Sequence, residues 1–111
     1  MNNFYWKVVA SVNNRLVSPL AIDLLKTRVE YYVNKTSYAP QHVDKMGLFV
    51  FQTEEQAQGF IEVFQRRTRT KLDLYKAHVV NPGPPPKNGF CWPVGTTMVD
   101  AVTLLRKVRV N

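Results

Sequence analysis

The sequence predicts an α+β domain, in which a mostly antiparallel sheet of about five strands carries one main amphipathic helix. Segments of alternating apolar and polar residues recur along the chain, which is typical of half-buried strands. A capping motif followed by apolar residues at helical spacing marks the main helix at 54–66. The chain has 111 residues and no linker or internal repeat, so residues 1–111 are expected to form a single domain.

The first strand is predicted at 4–12, where aromatic and β-branched residues alternate between two faces. Asn13 and Asn14 follow as a turn signal, because asparagine tolerates a positive φ. Residues 15–17 are then expected to pair back on the first strand as a short second segment.

A short helix is predicted next, at 19–26. Ser18 can cap it, and Pro19 suits the first helical position, where a backbone N–H is not needed. Residues 28–33 alternate again and predict a further strand. Residues 34–45 are polar, contain a proline and are expected to form an exposed loop.

The apolar run at 47–51 predicts a strand that is covered on both faces and therefore central in the sheet. Thr53 is the expected cap of the main helix, and Gln56 is expected to reach back to the Thr53 N–H, which completes a capping box. Four apolar residues of this helix form a stripe that is expected to pack on the sheet: Ala57, Phe60, Ile61 and Phe64.

The last third of the chain predicts two more strands around an irregular loop. Residues 72–80 predict a strand, and the stretch 81–95, rich in proline and glycine, predicts the loop. Residues 100–110 alternate and favour a final strand. A helix capped by Thr97 is the alternative, since apolar residues there also recur near helical spacing, so the sequence leaves open whether 97–110 is strand or helix.

Catalytic and metal chemistry are not expected. No motif brings His42 or His78 near Cys91, and a cysteine nucleophile needs its base within hydrogen-bond reach. The spacing of histidine, cysteine and carboxylate residues does not resemble a metal site, and there is no glycine-rich phosphate loop. The sequence therefore predicts no cofactor and a structural role for Cys91.

The charge of the chain favours an anionic partner, either nucleic acid or an acidic protein. Fifteen basic and eight acidic residues give a net charge of +7. The candidate anion-binding or nucleic-acid-binding residues lie at the end of the main helix and in the following strand, and three basic residues at 106–109 can extend this surface. The candidates are Arg66, Arg67, Arg69, Lys71 and Lys76. The alternative is that these charges only close the helix and solvate a strand.

Four tyrosines are candidates for base stacking if they are exposed: Tyr5, Tyr32, Tyr38 and Tyr75. The segment 82–87 matches a P-x-x-P-x-K pattern, which can form a polyproline helix for an SH3-type groove or a stiff loop. The Trp92–Pro93 bond is open to either isomer.

The N-terminus carries no secretion signal, and no apolar run is long enough to span a bilayer. We therefore expect a cytoplasmic protein without membrane contact, or one inside a host cell or virion. A homo-oligomer that assembles through exposed sheet edges is a further expectation.

The residues Gly-Leu-Phe-Val-Phe-Gln-Thr-Glu-Glu-Gln-Ala-Gln-Gly-Phe at 47–60, with 16–19 and 29–35, carry a family likeness. This part resembles small domains of unknown function, often encoded by phages or viruses, with a Gly-Leu/Ile-x-Val-Phe-x-Thr-x-Glu-x-Ala-x-x-Phe core. The strand–Thr–helix unit is also similar to half of an ADP-ribosyltransferase fold. The first resemblance implies a viral or metagenomic origin, and the second implies a nucleotide-binding or enzyme-like domain. No His-Tyr-Glu or Arg-Ser-Glu set is present, so the resemblance assigns no catalytic residue.

The expected function is that of a non-catalytic binding or accessory domain whose basic surface holds an anionic partner. An ADP-ribosyltransferase-like domain and a structural subunit that assembles through sheet edges are the two alternatives.

Overall fold

The computed structural model describes residues 4–12, 14–17, 30–38, 48–68, 71–84 and 93–110. These described residues form eight strands and one helix, in an α+β arrangement. The elements in chain order are β1 (Phe4–Val12), β2 (Arg15–Val17), β3 (Glu30–Tyr31), β4 (Thr36–Tyr38), β5 (Leu48–Phe51), α1 (Glu54–Thr68), β6 (Leu72–Val80), β7 (Thr96–Val99) and β8 (Ala101–Val108). The predicted fold class is confirmed, but the sheet has eight strands where about five were predicted. The predicted helix 19–26 lies outside the described residues.

The sheet is built around β1, which pairs antiparallel with β6 along one edge. Its other edge is shared, because β2 pairs with one end of β1 and β5 meets the other end at Trp6. The strands follow the order β3-β2-β1-β6-β8-β4. The two ends of this path meet, since Lys35 N–H donates to the Tyr32 carbonyl in the turn between them and the Ser37 hydroxyl donates to the Glu30 carbonyl at 3.1 Å. The sheet therefore curls round on itself.

The curled sheet has an apolar core on each of its faces. The outer core lies between the sheet and α1, and the inner core lies within the curve, because successive strand residues point to opposite faces. Val8 of β1 belongs to the outer core and Val9 to the inner core. Both faces of β1 are therefore covered, which leaves its residues 7–10 buried.

The helix α1 packs its predicted stripe on the outer core. Ala57 and Ile61 are buried, and Phe60 and Phe64 are half-buried. The Phe60 ring lies 5.3 Å from the Phe51 ring and 5.3 Å from the Phe64 ring, measured between centroids. No helix among the described residues combines the length and apolar character that crossing a bilayer requires.

The N-terminal cap of α1 is half of the predicted capping box. The Gln56 backbone N–H donates to the Thr53 hydroxyl at 3.1 Å, as predicted. The Gln56 side chain does not reach back, and its Oε1 is buried with no hydrogen-bond partner among the described residues. Its amide instead occupies the space beside Gly95, where a Cβ would collide with it. The packing of this loop against α1 therefore overrides the local capping preference.

Several strand predictions are confirmed by the pairing. The predicted strands 4–12 and 72–80 coincide with β1 and β6, and β2 pairs back on β1 after Asn14, whose φ is 65°. The apolar run 47–51 forms β5 over its last four residues, all of them buried, with β1 and β7 as neighbours.

Two predictions are corrected by pairs between distant parts of the chain. The predicted loop 34–45 contains β4, because Thr36–Tyr38 pairs with residues 101–103 of β8. The stretch 81–95, predicted as an irregular loop, holds no helix or strand in its described residues, and Gly83 there forms two backbone hydrogen bonds of 2.8 Å with Met98. The alternative of a helix capped by Thr97 is wrong, since residues 96–99 form β7 on β5 and residues 101–108 form β8.

Candidate anion-binding site

The structure describes four of the five predicted basic residues, and it places them in different parts of the fold. Arg66 and Arg67 lie in the last turn of α1. The Arg66 guanidinium forms an ion pair of 2.8 Å with Glu62, one turn earlier, which neutralises it locally. Arg67 points into a groove on the exposed side of the helix. Arg69 lies outside the described residues.

Lys76 belongs to a different part of the sheet. Its ammonium lies 4.2 Å from the centre of the Phe4 ring, and Arg106 is its direct partner on β8. Both point to the same side of the β6–β8 pair as Leu74, which is part of the outer core. Lys76 is half-buried, so its stem and charge are used in packing on an aromatic ring.

Lys71 is brought together with two cations of the C-terminal strand. Because β8 runs antiparallel to β6, the end of β8 lies beside the start of β6, and Leu74 pairs with Val108. Lys71, Lys107 and Arg109 consequently line one pocket of about 490 Å³, and we call these three residues the basic cluster.

The backbone around the basic cluster is held by three hydrogen bonds. The Ser11 N–H donates to the Lys71 carbonyl at 3.2 Å, which fixes the chain just before β6. The Gln65 side chain accepts from the Leu72 N–H at 3.1 Å, and the Gln58 amide donates to the Arg109 carbonyl at 2.9 Å. The helix therefore holds both strand ends that carry the cations.

The charge of this pocket is positive. Asp73 is its one acidic lining residue among the described residues, and its carboxylate lies 3.7 Å from the Lys107 ammonium. Lys71 and Arg109 are exposed and have no ion-pair partner within the described part of the chain. Three cations and one carboxylate leave an excess of two positive charges, which suits a phosphate or sulfate oxyanion.

None of the four tyrosines considered for stacking lines the pocket of the basic cluster. Tyr32 and Tyr38 are exposed, as stacking requires, but Tyr38 pairs with Ala101 at the start of β8. That position is about 20 Å along the strand from Lys107. Tyr75 is buried in the inner core and Tyr5 is half-buried against it, so the prediction for Tyr75 is wrong.

The sequence pattern does not single out one residue whose chemistry in the structure is unusual. Lys7 of β1 is 0% exposed, and its ammonium donates to the Phe49 carbonyl at 2.8 Å. It also lies 4.3 Å from the centre of the Phe49 ring and 5.1 Å from that of Tyr31. Among the described residues no carboxylate forms an ion pair with it. Burial lowers the pKa of Lys7 from 10.5 to about 7.

A second, larger pocket of about 770 Å³ runs along one flank of α1, between the helix and the loop before β7. We call it the α1 groove, and it is lined by Thr53, Glu55, Gln56, Gly59, Phe60, Val63, Phe64, Arg67, Pro93 and Val94. Its lining is mainly apolar, with a carboxylate near one end and a guanidinium near the other. Lys7 lines neither this groove nor the pocket of the basic cluster.

No group of three or more histidine, cysteine or carboxylate residues in the described ranges is placed to hold a metal ion. His78 is exposed beside the Phe4 ring, at 4.8 Å between centroids, and His42 and Cys91 lie outside the described residues. Comparisons with protein-family models, with curated proteins and with solved structures gave no match. The two family resemblances therefore remain expectations from the sequence.

Proposed function

We propose that this protein is a non-catalytic binding domain that holds the phosphate backbone of nucleic acid on the basic cluster. The observation that carries the proposal is the convergence of Lys71, Lys107 and Arg109 around one pocket, with Asp73 as the one acidic lining residue among those described. The net charge of +7 acts in the same direction, because it attracts polyanions from a distance.

The three cations have different roles in this proposal. Lys71 and Arg109 are exposed and without ion-pair partners in the described structure, so they meet a phosphate at little cost in broken contacts. Arg109 offers a planar fork that binds two phosphate oxygens at once. Lys107 already forms an ion pair with Asp73, and this contact reduces its contribution to phosphate binding.

The proposed contacts are with phosphate and not with bases. Phosphate contacts position a protein on nucleic acid without reading sequence, so binding should be weakly selective and strongly salt-dependent. The exposed Tyr38 lies about 20 Å along β8 from Lys107, which is too far to stack on a base next to a phosphate held at this cluster.

The test is a binding titration of a fluorescent oligonucleotide with charge-matched double variants. Lys71→Ala with Arg109→Ala removes two charges from the basic cluster. The control is Arg15→Ala with Lys35→Ala, which removes two exposed charges from β2 and from the turn between β3 and β4. The two double variants therefore have the same net charge. We expect a much larger loss of affinity in the first variant. Equal losses, or a larger loss in the second variant, would contradict the proposed site.

A further inference from the structure

One flank of α1, beside the loop that precedes β7, carries a continuous apolar stripe. Gly59 and Val63 are its centre, one turn apart, and the edges of Phe60 and Phe64 lie beside them. Val63 is 52% exposed, and Val94, from the loop before β7, is 81% exposed. Together these residues leave an apolar groove of about 770 Å³ between α1 and the loop before β7.

The ends of the groove carry opposite charges. Glu55 lies in the first turn of α1 and Arg67 in the last turn, and both line the groove. Neither forms an ion pair with another described residue. They are twelve positions apart, which is about 18 Å along a helix. A partner helix with the reverse order of charges would complement both ends.

A second copy of α1, turned end for end, presents its charges in this reverse order. We propose that the α1 groove is the interface of a two-fold symmetric homodimer, in which α1 of one copy lies antiparallel to α1 of a second copy. Glu55 of each copy then faces Arg67 of the other, and the same patch is used twice, as two-fold symmetry requires. Antiparallel helices also bring opposite dipole ends together.

The shape of the stripe favours the same register. If Glu55 faces Arg67 of the second copy, the two-fold axis passes at the level of residue 61. Gly59 then faces Val63 of the second copy, since both are two positions from that level. A Cβ added at Gly59 would meet no atom within 4 Å beyond its own helix backbone, so the space beside Gly59 is open to a valine side chain. One register therefore satisfies both charge and shape.

A second copy is favoured over a strand that adds to the sheet. The outer edge of β7 is already bonded by Gly83, and the ends of the strand path at β3 and β4 meet each other. Assembly through sheet edges, the expectation from the sequence, is therefore replaced in this proposal by assembly through the helix. The basic cluster is not part of this interface, so the dimer is independent of the proposed binding of nucleic acid.

The test measures molar mass by light scattering over a series of protein concentrations. The wild type should reach twice the chain mass of 12.8 kDa. Val63→Asp should return it to the single-chain mass, with an unchanged circular dichroism spectrum because Val63 is exposed in the monomer. A wild type that stays at the single-chain mass throughout, or a folded Val63→Asp variant that remains a dimer, would overturn the proposal.

Charge reversal tests the orientation of the helices. Glu55→Arg alone and Arg67→Glu alone each place like charges across the interface, so each should be monomeric. An equimolar mixture of these two variants should recover the dimer, since the two arginines of one variant face the two glutamates of the other only in a mixed pair. Glu54→Arg is the matched control, because it makes the same change in the same turn outside the groove and should leave the dimer intact. Failure of the mixture to dimerise, or equal disruption by the control, would overturn the antiparallel register.

Discussion

Lys7 and Phe49 join two strands through a buried hydrogen bond of 2.8 Å between the lysine ammonium and the phenylalanine carbonyl. The bond lies where β5 meets the edge of β1 near Trp6, and the Phe49 and Tyr31 rings cover the ammonium. The carbonyl and the ring faces are its favourable contacts, and within the described structure no carboxylate adds to them. A buried cation held in this way remains costly relative to a neutral amine, which is why burial lowers its pKa.

Lys7 should make the stability of this protein depend on pH. Its folded pKa of about 7 lies below the ordinary value of 10.5, so between these values the unfolded chain binds more protons than the folded one. Stability should therefore rise with pH across this window, by up to about 1.4 kcal/mol per pH unit. Below the window both states are protonated and this contribution is constant.

Lys7→Met removes the charge and keeps the length of the side chain. The measurement is the free energy of unfolding in urea for both proteins across the window from about 7 to 10.5. Wild type should gain stability relative to the variant as pH rises, since all other titrating groups are common to both. Parallel pH profiles would show that Lys7 keeps its proton in the folded protein, contrary to this account.

Ile61 anchors α1 on the outer core. It is 1% exposed, so Ile61→Ala should cost about 2–5 kcal/mol through lost burial and the cavity that it leaves. Val80→Ala is the control, because this valine is also β-branched but 47% exposed, and its truncation should change stability by less than about 0.5 kcal/mol. Urea unfolding measures both. Similar costs for the two variants would mean that α1 is not packed on the sheet as described.

Gly95 and Gln56 should be energetically coupled. Gly95 has a φ of +84°, and an added Cβ would collide with the Gln56 amide, so Gly95→Ala should destabilise the fold through both strain and collision. In a Gln56→Ala background the collision disappears and only the backbone strain is left. A double-mutant cycle should therefore show that Gly95→Ala costs less in that background, by roughly 1 kcal/mol or more. Additive costs would place the Gln56 amide elsewhere.

The elements that the sequence predicts well are those whose stability is local or whose pattern is long. The nine residues of β1 and of β6 alternate clearly, and the Thr53 cap marks the start of α1. The strand β4 was missed because its three polar residues gain their structure from distant β8, through pairs such as Thr36 with Thr103. Similarly, the helical spacing after Thr97 was outweighed by pairing with β5.

The candidate site was predicted in part. Lys71 was named, and Lys107 and Arg109 were within the extension of the basic surface, but only the antiparallel pairing of β6 and β8 shows that these three converge. The ion pair of Arg66 with Glu62 is predictable from the sequence, because the two residues are four positions apart on a helix. The alternation of β1 predicts that Lys7 lies on an exposed face. In the structure a second apolar core covers that face, so the lysine is buried. The neighbouring run Val8-Val9-Ala10, apolar on both faces, was the signal for it.

The most direct test of the account is the salt dependence of oligonucleotide binding. Affinity should fall steeply as salt rises, because each phosphate that meets a cation releases about one counterion. The slope of log affinity against log salt should decrease by about 0.7–0.9 for Lys71→Ala and by a similar amount for Arg109→Ala, while Lys35→Ala leaves it unchanged. Salt-insensitive binding, or slopes that are the same in wild type and in both cluster variants, would contradict the claim that the basic cluster holds phosphate.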